Sequence, residues 1–248
     1  MITPLGFFNG FTGFLVTLLA FAVIYYDSYI YFKKEKNQLL ISLILAAIAI
    51  GLGWTGTTIT FFSVAIFQTN LPGVEILVPF FSFFPIPIGA IAFFNIAWNI
   101  AWGSGLKGKK KVLYAYLMLI IVYYIVFFLT FSSSVGIYGY PDEVIDTWLL
   151  PTSITYYLVW IFIIIDLIVG LVGLISIWKM TSGEWKKKSF ALIITVILVG
   201  LGVLLDTVIL IGDSVQIITS LPRIIMLIAW VIIPFYGFRR IKSKRVKD

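Results

Sequence analysis

Residues 152–178 read TSITYYLVWIFIIIDLIVGLVGLISIW, an unbroken apolar run whose one acidic or basic side chain is Asp166. About 20 apolar residues of α-helix cover a hydrocarbon core of roughly 30 Å, so a run of this length predicts a membrane span. Six more runs of similar character lie in the chain, at about 6–32, 38–62, 76–102, 112–132, 189–211 and 217–238. They use nearly all of the 248 residues, leaving one membrane domain over 1–248 with a short basic tail at 239–248. The predicted class is all-α: a polytopic bundle of seven transmembrane helices. A β-barrel would need alternating strands of roughly 10 residues rather than continuous apolar runs.

Composition agrees. The chain is 61% hydrophobic and 12% charged, where a soluble domain is nearer one quarter charged. It has no cysteine and no histidine. Disulfides, thiolate metal sites and cysteine nucleophiles are therefore absent, together with the commonest general base and metal ligand. The sequence points to no enzyme, no cofactor and no metal.

The net charge of +7 would fit nucleic acid if position were ignored. Position assigns it to a membrane surface. Lys33, Lys34 and Lys36 follow the first run, Lys107 and Lys109–Lys111 the third, Lys179 and Lys186–Lys188 the fifth. Arg239, Arg240, Lys242, Lys244, Arg245 and Lys247 follow the last, which leaves only Arg223 of the 18 Lys and Arg residues. The other connections carry Glu75, Asp142, Glu143, Asp146 and Asp213. Basic loops stay in the cytoplasm, so the expected orientation is N-terminus out and C-terminus in, in the cell membrane. The expected partners of the basic face are anionic lipid headgroups rather than nucleic acid. The longest outer connection, 133–151, holds Gly136, Gly139 and Pro141 and reads as a solvated, turn-rich connector; a lid over an outer pocket is the alternative.

Polar side chains within a span are expensive and tend to face the bundle. Counting about 1.5 Å per residue from the nearest basic residue puts Asp27 about 9 Å from the inner edge and Asp166 about 20 Å. The same count puts Asp206 at about 27 Å and Arg223 at about 24 Å. Matched depth on consecutive antiparallel spans predicts an Asp206–Arg223 ion pair, either as a lock between helices or as part of an outer polar pocket with Trp54 and the threonines Thr55, Thr57, Thr58 and Thr60. The candidate ligand-binding residues are Trp54, Thr58, Asp166, Asp206 and Arg223. Asn95 and Asn99, four apart on one helix face, read as glue between helices. The glycines at 51, 53, 170, 173, 200 and 202 read as close packing, and Pro79, Pro85, Pro87 and Pro234 as kinks or breaks.

Several motifs fail. Tyr26-Asp27 and the segment Gly200–Asp206 echo the paired motifs of intramembrane aspartyl proteases, but about 18 Å of depth separates the two aspartates. A retinal protein needs a mid-span lysine on its last helix, where this chain has Arg223. The third span ends in AWGSG, not in the DRY-like triplet of a G-protein-coupled receptor.

Three stretches carry a resemblance: FPIPIGAIAFFNIAWNIAWGSGLKGKKK (84–111), WKMTSGEWKKKS (178–189) and PFYGFRR (234–240). In their organisation the chain resembles the N-terminal seven-helix sensor region of membrane histidine kinases and related prokaryotic receptors. The resemblance implies a sensory membrane module. No output domain follows Asp248, so signalling would pass to a separate cytoplasmic protein on the basic face. The alternative is a small-solute transporter. GLG at 51–53 and 200–202, with Asp27 and Asp166 in spans one and five, would fit a three-plus-one-plus-three repeat as in SWEET-type carriers, although the PQ-loop signature is missing. A structural membrane subunit is the third reading.

Overall fold

The computed structural model describes residues 2–33, 38–102, 109–208, 224, 225 and 228. Long helices dominate: α1 (Pro4–Lys33), α2 (Gln38–Phe67), α3 (Val74–Phe83), α4 (Ile86–Trp102), α5 (Lys109–Ser134), α6 (Ile154–Met180) and α7 (Gly183–Val208). Between α5 and α6 lie two short strands, β1 (Val135–Tyr138) and β2 (Asp146–Leu149). Among the described residues, five segments are long and apolar enough to cross a membrane: α1, α2, α3 with α4, α5 and α6. These are the first five predicted spans. The sixth falls on α7 and runs past its described end. The seventh, about 217–238, lies outside the described residues except for Ile224, Ile225 and Ile228.

Local chemistry sets the breaks. Helix α2 continues five residues beyond its predicted end and stops at Gln68, which takes φ 62°. The Ser63 hydroxyl then stitches the turn, donating to Thr69 O at 2.9 Å and accepting from Leu71 N at 3.0 Å. Ser153 caps α6 by accepting from Tyr156 N. The third span is two helices rather than a kinked one, because Pro85 and Pro87 each lack the N–H that would continue the ladder.

Helices approach closely where a glycine meets a small or yielding neighbour. A Cβ on Gly51 would stand 3.0 Å from Ala20 Cβ, one on Gly89 3.0 Å from Ala49 Cβ, and one on Gly200 2.5 Å from a Leu167 methyl. Such contacts bring α1 to α2, α4 to α2 and α7 to α6, as small residues do in lipid, where packing rather than water drives association. Gly53 is different: the nearest atom to its Cβ position is Ser82 O at 3.9 Å, and it borders a cavity instead. The main core cluster is aromatic, built on Phe94, Tyr116, Tyr123, Phe127 and Phe162, all at most 3% exposed.

The connection 133–151 is not the solvated connector expected from its glycines and proline. Strands β1 and β2 pair antiparallel, Val135 opposite Leu149 and Tyr138 opposite Asp146. Ile145 is fully buried, and Val144 and Leu149 nearly so. Gly136 leaves room for the Trp148 indole, which fills the place a Cβ would take. Polar bonds then fasten this hairpin to the helices. Asn70 Nδ2 donates to Pro141 O (2.9 Å) and Glu143 O (2.6 Å), Ile145 N donates to Thr60 Oγ1 (3.2 Å), and Thr147 Oγ1 donates to Ser82 Oγ (3.2 Å). The hairpin closes one end of the bundle. Lys33, Lys109–Lys111, Lys179 and Lys186–Lys188 mark the other, where Lys186 Nζ lies 4.9 Å from the Trp178 ring centre and Lys33 Nζ 5.3 Å from that of Tyr29.

Candidate functional site: a capped cavity between the helices

A cavity of about 300 Å³ lies beneath the hairpin. Helix α2 contributes Ala46, Ala49, Ile50, Gly53, Trp54 and Thr57, and α3 contributes Ser82 and Phe83. Helix α4 adds Ile86, Gly89, Ala90 and Phe93, α6 adds Val159, Phe162, Ile163, Asp166 and Leu167, and α7 adds Val196 and Gly200. Asp146, Thr147 and Leu149 of β2 form its roof. Small residues of α2 and α4, among them Ala49, Gly53, Gly89 and Ala90, leave the space. Concave, mostly apolar chambers with a few convergent polar groups are what small molecules occupy.

Two of the sequence candidates meet here. Trp54 and Asp166 border the same cavity from α2 and α6. Asp166 is 9% exposed, and its Oδ1 accepts a hydrogen bond from the Tyr116 hydroxyl at 3.0 Å. Thr58 does not border the cavity. It turns toward α1, bonding Thr17 Oγ1 at 3.1 Å and donating to Trp54 O at 2.9 Å. Its neighbour Thr57 takes the lining position, since successive helical residues point about 100° apart. Asp206 belongs to α7, but its side chain and the whole of Arg223 lie outside the described residues, and the expected ion pair with them.

Sequence reading missed Tyr116, singled out Thr58 rather than Thr57 from the threonines of α2, and held the lid over the pocket only as the alternative for 133–151. Asp166 is 13 residues from Lys179, while its partner Tyr116 is five residues from Lys111, so these two lysines do not share one level.

Aromatic rings pack around Tyr116. Phe94 stacks on Tyr116 with ring centres 4.7 Å apart, and Tyr116 meets Phe162 at 5.4 Å. Farther toward the lysine end a polar chain crosses three helices. Lys109 Nζ donates to Asn99 Oδ1 (2.6 Å), Asn99 Nδ2 to Asn95 Oδ1 (3.3 Å), and Asn95 Nδ2 to Ser42 Oγ (2.8 Å). The two asparagines thus tie α4 to α5 and α2. Among the described residues no three His, Cys, Asp or Glu side chains group as metal ligands do.

The structure is a helical bundle with five segments long and apolar enough to cross a membrane and a cavity roofed by the hairpin. No protein family model, curated protein or solved structure matches the chain.

Proposed function

We propose that this chain is a multi-pass cell-membrane sensor that binds a small ligand in the capped cavity and signals through a separate cytoplasmic protein. In this reading seven helices span the bilayer, the hairpin faces outward, and the lysine end faces the cytoplasm, where it also meets anionic lipid. The observation that carries the proposal is the cavity itself, about 300 Å³ of mostly apolar wall in which Trp54, Thr57 and Asp166 converge beneath the β2 roof. A chamber of this kind suits a small ligand, and a carrier would also need a path onward to the other side.

A panel of small aromatic probes of equal size but different charge tests this on purified protein in nanodiscs. At least one member should raise the melting temperature saturably in the wild type and fail to do so in Ala90→Phe, which fills the chamber. Vesicles holding the protein should show no counterflow of the charged members. Saturable counterflow would replace the sensor with the transporter; absence of any saturable binding would remove the ligand-binding reading.

A further inference from the structure

We infer that the ligand of this cavity is an organic monocation, an amine or quaternary ammonium carried on an apolar or aromatic body. The inference rests on the ligand-binding reading above and adds its chemical class. A buried acidic side chain, Asp166, borders the cavity, and among the described residues no lysine or arginine does. A chamber with one sign of charge attracts the other sign and rejects its own.

Asp166 is the counter-charge. Its Oδ1 is engaged by Tyr116, while among the described residues no hydrogen bond reaches Oδ2. The side chain is about nine-tenths buried, and the space it borders is the cavity. A buried carboxylate with one oxygen held and the other turned to an apolar chamber is a poor structural device and a ready receptor for a cationic head. The remaining wall agrees. Trp54, Phe83, Phe93 and Phe162 surround the chamber, and aromatic faces attract a cation within about 6 Å of the ring centre. An anionic ligand would meet the Asp166 carboxylate, and among the described residues no lysine or arginine borders the cavity to offset it. A wholly apolar ligand would leave Oδ2 without a partner.

The probes are benzyltrimethylammonium, its neutral carbon isostere neopentylbenzene, and phenylmethanesulfonate, measured by melting shift and by titration of protein in nanodiscs of neutral lipid. The cation should bind at least ten-fold more tightly than the neutral isostere, and the sulfonate not at all. Asp166→Asn keeps an acceptor for Tyr116 and should reduce the cation's advantage to less than two-fold. The wild-type order is itself a test should that variant fail to fold. Equal or tighter binding of the neutral or anionic probe overturns the cation inference and leaves the ligand-binding reading standing. If no probe binds, both fall. A preference that survives Asp166→Asn and disappears in Asp146→Asn overturns the role given to Asp166.

Discussion

The hydroxyl of Tyr123 donates to the carbonyl oxygen of Phe83 at 2.8 Å, and that carbonyl is the one Pro87 deprives of its intrahelical donor. In an unbroken helix the N–H of residue 87 would bond Phe83 O, and proline has none. Tyr124 donates to the next carbonyl, Phe84 O, at 3.1 Å. Two adjacent tyrosines on α5 therefore hold the break between α3 and α4. Removing the Tyr123 hydroxyl strands a buried acceptor. Tyr123→Phe should lower stability by about 1–3 kcal/mol, read as thermal or denaturant unfolding in detergent. Tyr124→Phe should cost less, because Tyr124 is only partly buried. Equal losses, or none, would show that the hydroxyls do not secure the break.

Tyr116 and Asp166 offer a second contrast. Tyr116→Phe leaves Asp166 Oδ1 without its donor in a buried site, a loss of about 1–3 kcal/mol in unfolding free energy. Adding Asp166→Leu removes the stranded carboxylate, so the double variant should recover part of the loss. Losses that simply add in this cycle would show that the two side chains do not interact.

Glycine positions separate packing from open space. A Cβ on Gly56 would come 2.8 Å from Val78 Cα, a backbone atom that cannot move aside. Gly56→Ala should therefore destabilise by about 1–3 kcal/mol. At Gly53 the nearest atom is 3.9 Å away, and Gly53→Ala should be neutral or stabilise by up to about 1 kcal/mol. Similar melting temperatures for the two variants would contradict the packing of α2 on α3.

The hairpin is fastened chiefly by Asn70, which is 8% exposed and donates to two of its carbonyls. Asn70→Ala should raise hydrogen exchange across 139–147 by ten-fold or more while leaving the helical amides slow. Unchanged exchange there would mean that Thr60, Ser82 and the Asn70 backbone N–H, which also donates to Pro141 O, suffice to hold the roof.

Sidedness can be tested directly, because the chain has no native cysteine. A membrane-impermeant thiol reagent should label Asp142→Cys in intact cells and Lys110→Cys only after permeabilisation. The reverse pattern would turn the proposed orientation over.

The first five spans were legible because a membrane helix announces itself by length and apolarity alone, and 152–178 needs no other signal. Rotation about the helix axis was not legible. A soluble helix shows its buried side as an apolar stripe, but α6 is apolar nearly all round, so nothing in its sequence says which side Asp166 faces or that Tyr116 meets it. Thr58 was preferred to Thr57 for the same reason: adjacent residues differ by about 100°, and without a polar face the choice is blind. The hairpin escaped because its strands are four residues each, too short for alternation to show between Gly136, Gly139 and Pro141. What buries Ile145 is contact with distant helices, which no local pattern records.

The packing order of the helices carries a consequence for biosynthesis. Helix α1 lies along α2 and packs on no other described helix to a comparable extent, while α2 also receives α3 and α4. Chains emerge from the ribosome N-terminus first, so these neighbours in space are also neighbours in time, and each new segment finds its partner already inserted. The chamber is different. Its far wall comes from α6 and α7 and its roof from β2, so a chain cut after α5 would hold Trp54 beside only the α2, α3 and α4 part of the wall. The chamber is thus completed late in synthesis, after all of its N-terminal helices have been made.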